Sequence, residues 1–247
     1  MSVKTSVGKG FGIARQSMPV VGILSLFSFV WNLINLYYAP QVQQNPQAAI
    51  SAVLVVATIV FLLVSIYLQA GTLGYIRDKV KQGQATLSVF TSSAGQYYMR
   101  IFGVGLIITS IALLFIVVAA VLVAFLKTVG VVIAVAVAVI GIYLFCLVLF
   151  APYIIVANDE RAVASIKKSV GLVKKNILPV FGISLILVVV AFAVGLLTGV
   201  LLGLVNVAAP GPVSRVIYAL VSSLLNSFLG VFVYASFMNF YFEVSNR

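Results

Sequence analysis

Residues 101–126 read IFGVGLIITSIALLFIVVAAVLVAFL and contain no charged side chain. A second uncharged segment, 128–158, follows directly after Lys127. A helix needs about 20 mainly apolar residues to cross a bilayer, and each segment is long enough. Strands of a membrane barrel would instead alternate apolar and polar residues. Because IALLFIVV at 111–118 is apolar on every face, these segments predict two membrane-spanning helices.

The composition of the whole chain agrees with this interpretation. Of its 247 residues, 63% are hydrophobic and 8% are charged, whereas soluble domains usually contain about 25% charged residues. Uncharged stretches also cover 16–76, 176–214 and 216–242, and two prolines and four glutamines within 38–47 divide the first of them. We therefore expect one all-α, polytopic membrane domain over residues 1–247 with six transmembrane helices, at about 17–38, 48–76, 101–126, 129–157, 177–206 and 214–242.

Basic residues set the expected orientation. In this layout thirteen of the fifteen Lys and Arg residues lie on one side, and only Lys127 and Arg215 lie on the other. Since Lys and Arg are retained on the cytoplasmic side of bilayers, both termini are predicted to be cytoplasmic, in a multi-pass protein of the plasma membrane. The net charge of +11 indicates contact with anionic lipid. A nucleic-acid partner is not expected, because no soluble domain is evident to carry a binding motif.

Two of the basic segments have the periodicity of amphipathic helices. The apolar stripes are Leu87, Phe90, Ala94 and Tyr97 in 86–100, and Val163, Ile166, Val170 and Val173 in 161–175. Such helices either lie in the membrane interface or pack on the cytoplasmic ends of the spans. The second helix also carries the expected anionic-lipid contacts, Lys167, Lys168, Lys174 and Lys175.

A threefold parallel repeat is expected as well, each unit being a short cytoplasmic helix followed by two spans. The units are 1–80, 81–160 and 161–247. The matching segments are SVG at 6–8, SAG at 93–95 and SVG at 169–171, and PVVGI at 19–23 with PVFGI at 179–183. The inverted repeats of many secondary transporters are not evident.

Several loose motifs carry a family resemblance. They are GTLGYI at 71–76 leading into SVF at 88–90, APYIIV at 151–156, AVASIKKS at 162–169 and VKKN at 173–176. Over most of residues 70–185 the chain resembles the membrane domain found on some prokaryotic glycerophosphodiester phosphodiesterases, and the stand-alone six-helix relatives of that domain, whose function is unknown. With no His and only four acids, residues 1–247 are not expected to include the soluble phosphodiesterase domain. The resemblance therefore implies a membrane architecture and no hydrolase activity.

Residues that could perform chemistry are scarce. The chain has no His, one Cys (Cys146) and four acids, which are Asp78, Asp159, Glu160 and Glu243. Catalysis needs groups that titrate, attack or bind metal, and haem or zinc sites are disfavoured without imidazole. The Asp159-Glu160 pair is interpreted as favourable charge at a helix start. We expect no enzyme activity, no metal and no cofactor.

Inside the spans, the expected sites are packing contacts. Small residues follow one another at intervals of four, at Ala191, Gly195, Gly199 and Gly203. Such a stripe lets another helix approach closely, either within the chain or from another subunit. The polar residues Asn32, Asn35 and Asn226 are expected to bridge helices rather than to bind substrate.

Two functions are compatible with these features. The first is a non-enzymatic scaffold or accessory subunit that acts through helix packing and anionic-lipid contact. Its partners would be membrane lipids and other membrane subunits or a second copy of the chain. The alternative is a channel or transporter for a neutral or apolar solute, which a cavity lined by Asn32, Asn35 and Asn226 would favour.

Overall fold

The structure, a computed structural model, describes residues 3–44, 52–208 and 211–245. Every regular element in these ranges is a helix, which confirms the predicted all-α class. The helices are α1 (Val3–Gln16), α2 (Met18–Gln44), α3 (Ala52–Gln82), α4 (Leu87–Val148), α5 (Ala151–Asn158), α6 (Ala162–Lys175), α7 (Ile177–Ala208) and α8 (Pro212–Ser245).

Five helical stretches in the described residues are long and apolar enough to cross a membrane. They are Met18–Tyr38, Val53–Gln82, Leu87–Asn158, Ile177–Val205 and Val213–Ser245. The third contains 72 residues, which far exceeds the roughly 20 residues of one crossing.

This long stretch turns back on itself at Lys127, whose φ of 46° and ψ of −120° are not helical. After the turn, Gly130 lies against the backbone of Leu122, and Gly141 faces the ring of Phe115. The helix α4 therefore consists of two antiparallel arms, 87–126 and 128–148.

Proline positions explain where α2 and α7 begin. Pro19 lies in the first turn of α2 and Pro179 in the first turn of α7, where the missing N–H is tolerated. No proline follows the amphipathic segment 87–100 until Pro152. That segment therefore continues without a break into the first apolar arm of α4. The prediction of a separate short helix in the second unit was wrong.

The predicted span boundaries are matched in part. The membrane-length stretch of α2 is Met18–Tyr38, in agreement with the predicted span 17–38, although the helix itself continues to Gln44. The predicted start of the second span, at residue 48, lies outside the described residues. The predicted span 129–157 is interrupted just before α5, because Pro152 occupies the first turn of that new helix.

The buried core lies near one end of the bundle. Its centre is an aromatic cluster in which the ring centroid of Phe150 lies 5.6 Å from that of Phe237 and 5.8 Å from that of Tyr153. The arms of α4 bury few of their side chains, and Leu113 is 61% exposed. Apolar surface on this scale needs an apolar environment such as lipid.

Candidate functional site: a basic cluster at the helix ends

Four ion pairs gather the polar helix ends at one end of the bundle, which we call the basic end (residues 3–16, 77–100, 156–175 and 239–245). The pairs are Arg77 with Asp78 (2.7 Å), Arg100 with Asp159 (2.6 Å), Lys9 with Glu243 (3.9 Å) and Lys168 with Glu160. The chain contains only four carboxylate side chains. Each of them is therefore already part of an ion pair.

Arg77 links three segments of the basic end. Its Nη1 donates to the hydroxyl of Tyr97 at 2.9 Å and to the carbonyl oxygen of Val156 at 3.1 Å. Nearby, the amide of Asn158 donates to the hydroxyl of Tyr241 at 2.9 Å. These hydrogen bonds hold the ends of α3, α4, α5 and α8 side by side.

The short helix α1 packs on α8 through small residues. It buries Ser6, Gly10 and Ala14 at intervals of four. A Cβ atom on Gly10 would overlap Ser236 of α8, so only glycine permits this approach. The hydroxyl of Ser6 donates to Glu243 at 2.9 Å and fixes the far end of the contact.

The buried face of α6 shares most of the predicted stripe and is shifted toward two serines. Val173 is buried and Ile166 and Val170 are partly buried against the core, while Val163 is 57% exposed. Ser165 and Ser169 are buried as well. The cause is the break between α4 and α5, which leaves backbone groups without helical partners. The hydroxyl of Ser169 donates to the carbonyl oxygen of Leu147 at 2.7 Å and accepts from the N–H of Phe150 at 3.2 Å.

The first amphipathic segment agrees better with its prediction. It buries Phe90, Ala94 and Tyr97, whereas Leu87 is exposed. Ser93 is also buried, because it lies against Gly74 of α3 with no room for a Cβ atom there. The buried faces of this segment, of α1 and of α6 thus contact other helices of the chain.

The four predicted lipid-contact lysines are all exposed on α6. Lys168 pairs with Glu160. Within the described ranges, Lys167, Lys174 and Lys175 have no carboxylate within ion-pair distance. Three of the four side chains are therefore available to a negatively charged surface.

The small-residue stripe on α7 does not make a close helix contact with the described part of the chain. Cβ atoms added at Gly195, Gly199 and Gly203 would have no heavy atom of another element within 4 Å. Instead, Ala191, Gly195 and Gly199 line an open groove of about 450 Å³ between α7 and α8, and Asn226 lines its other wall.

The three intramembrane asparagines are not brought together. Asn32 bridges α2 and α8, since its amide donates to the hydroxyl of Ser223 at 2.9 Å. Asn35 donates within its own helix, to the carbonyl oxygen of Trp31 at 2.9 Å. Asn32 thus contacts a second helix, whereas Asn35 forms a local bond and Asn226 lines the α7–α8 groove.

Fold and site together define an all-helical chain with several membrane-length apolar helices and a basic cluster at one end. The chain belongs to the family described as "Domain of unknown function (DUF7847)", which matches residues 1–244. No match was found among curated proteins or among solved structures.

Proposed function

We propose that the chain is a non-enzymatic membrane scaffold or accessory subunit that works through helix packing and contact with anionic lipid. The observation that carries the proposal is the charge balance of the basic end. All four carboxylates are used in ion pairs, yet the chain has fifteen Lys and Arg residues. The remaining cations need counter-charges from outside the chain, and an anionic lipid surface supplies them.

The proposal includes six crossings with both termini in the cytoplasm, in the plasma membrane. The turn at Lys127 supports it, because two crossings then replace one in the long third stretch. The clustering of most basic residues at one end supports the orientation, since Lys and Arg are retained in the cytoplasm. Lys127 itself would lie at the outer surface.

A threefold parallel repeat is also part of the proposal. Three contacts support it, because each joins a short helical segment to the last span of another unit. They are Gly10 on Ser236, Ser93 on Gly74, and Ser169 on Leu147. The first unit would then pack on the third, the second on the first and the third on the second, which closes a ring and gathers the basic residues at one end.

Removing the unpaired lysines of α6 tests the proposal. At about 1 kcal/mol for each lysine near an anionic surface, the triple Lys167→Gln, Lys174→Gln, Lys175→Gln variant should bind phosphatidylglycerol in neutral detergent micelles about 100-fold more weakly. Its melting temperature in neutral detergent should not change, because these side chains have no carboxylate partner among the described residues.

Lys168→Gln is the matched control. It removes one charge from the same helix but breaks the pair with Glu160, so it should lower the melting temperature slightly. Equal amounts of co-purified anionic lipid in the triple variant and the parent would rule out the proposed lipid contact.

Transport of a neutral or apolar solute is the weaker proposal. The open groove between α7 and α8, with Asn226 and Ser222 on one wall, is the observation in its favour. The separate environments of Asn32 and Asn35 give it less support than a shared polar cavity would. Solute uptake by proteoliposomes that falls in an Asn226→Leu variant would favour transport over the scaffold role.

A further inference from the structure

A small open cavity of about 320 Å³ lies at the basic end between α1, α3 and α8. Its lining residues are Lys9, Gly12, Ile13 and Gln16 of α1, Lys79 and Val80 of α3, and Asn239 of α8. Two of them are lysines and two carry side-chain amides, and no acidic residue lines the cavity. Such a lining excludes a cation and favours an anion.

The charge of Lys79 in this cavity is not cancelled. Its side chain has no ion-pair or hydrogen-bond partner in the part of the chain that the structure describes. Asp78, its neighbour in sequence, is held by Arg77. Lys9 lies 3.9 Å from Glu243, a distance at the limit of an ion pair, and its side chain is 51% exposed. The cavity therefore keeps a net positive charge.

The amides add directional donors. Asn239 is only 7% exposed, and one N–H of its amide donates to the carbonyl oxygen of Ala235 at 2.9 Å. The second N–H of the amide remains for a ligand, because an asparagine amide carries two. The side-chain amide of Gln16 has no hydrogen-bond partner among the described residues. Ammonium and amide donors on the residues around one small space match the acceptor oxygens of a phosphate group.

The depth of the cavity suits a lipid headgroup. Lys79 lies three residues beyond the predicted end of the second span, and Asn239 lies three residues before the predicted end of the sixth. Both positions are at the border of the apolar region, where the phosphates of the cytoplasmic leaflet lie in the proposed orientation.

We propose that this cavity binds one phosphate group, carried by a phospholipid headgroup or by a free phosphate anion. The lipid form rests on the orientation and the lipid contact proposed above, but it assigns a specific site instead of a diffuse charged surface. The lysines of α6 do not line this cavity.

Gly12 provides the sharpest test. A Cβ atom at this position would have no heavy atom of another element within 4 Å, and Gly12 lines the cavity, so we expect a Gly12→Leu side chain to occupy it. Gly8, one turn earlier on α1, has equally open surroundings and does not line the cavity. Gly8→Leu is therefore the matched control, with the same gain in helix propensity.

The full chain would be purified in phosphate-free neutral detergent, and its melting temperature would be followed while inorganic phosphate or phosphatidylglycerol is added. We expect the affinity of the responding probe to fall about 25-fold in Lys9→Gln/Lys79→Gln, at roughly fivefold per lysine. The affinity should fall by at least as much in Gly12→Leu, and it should not change in Gly8→Leu.

The probes and the variants decide between the outcomes. A response to phosphatidylglycerol alone would identify a lipid headgroup as the source of the phosphate, and a response to inorganic phosphate would identify the free anion. No response of the parent to either probe, or a response that survives in Gly12→Leu and in the double lysine variant, would overturn the proposal. Loss of the response in Gly8→Leu as well would also overturn it. Because the α6 triple variant leaves this cavity intact, failure of one proposal can be told from failure of the other.

Discussion

Glycines at the basic end occupy two kinds of environment, although they lie close together in the sequence. Gly10 lies against the backbone and side chain of Ser236, whereas Gly8 on the same helix has open space around it. The same contrast separates Gly74, which lies against Ser93, from Gly83 in the following turn. The presence of a glycine in the sequence therefore does not show whether a helix contact requires it.

Alanine at Gly10 and at Gly8 should have opposite effects. Gly10→Ala forces α1 away from α8 and should lower the free energy of unfolding by about 1–3 kcal/mol. Gly8→Ala should raise it by up to about 1 kcal/mol, because alanine favours the helix. Unfolding in mixed detergent micelles measures both, and equal effects of the two variants would contradict the close contact with Ser236.

The turn in α4 depends on the backbone of a single lysine. The φ and ψ of Lys127 fall in a region that glycine adopts freely and other residues adopt with strain. Lys127→Gly should therefore stabilise the hairpin by about 1 kcal/mol, and Lys127→Val should destabilise it. A lower melting temperature for the glycine variant would show that the chain does not turn in this way.

At the scale of elements, the α7 stripe can be tested by filling it. Since Gly199 has no close neighbour in the described part of the chain, Gly199→Leu should leave the melting temperature of the dilute, detergent-solubilised chain unchanged. Gly74→Leu is the control, because its side chain would meet Ser93. A large loss of stability in Gly199→Leu would mean that α7 is covered by another helix.

Helix type and the approximate limits of the apolar segments could be predicted because they depend on local composition. The uncharged segments 101–126 and 128–158 already define the two arms that meet at Lys127. The burial of Ser169 on α6 could not be predicted in the same way. Ser169 is selected by backbone groups of Leu147 and Phe150, which lie outside α6 at the break between α4 and α5.

The lining of the cavity at the basic end could not be predicted either, because it depends on how distant elements pack. Lys9, Lys79 and Asn239 are distant in sequence and come together only when α1, α3 and α8 pack. The sequence instead predicted anion contacts at the four lysines of α6, because these lie close together in the chain. The one signal for the cavity is that Lys79 and Asn239 lie near the ends of their spans.

For the molecule as a whole, charge and apolar surface are separated along the bundle. The basic end holds every carboxylate in an ion pair and still carries a large excess of Lys and Arg. The arms of α4 expose apolar side chains along most of their length. Such a separation can anchor a membrane protein in one orientation, and the proposed orientation places the basic end at the cytoplasmic leaflet.

The accessibility of two engineered cysteines tests this orientation and the six crossings most directly. Cys146 is the only native cysteine, so Cys146→Ser gives a background in which Ser88→Cys and Lys127→Cys can be labelled separately. Ser88 belongs to the basic end, and Lys127 lies at the opposite turn of the α4 hairpin. A membrane-impermeant maleimide should label Lys127→Cys only from outside the cell and Ser88→Cys only in inverted vesicles. Labelling of both positions from the same side, or of Lys127→Cys from neither side, would contradict the proposed topology.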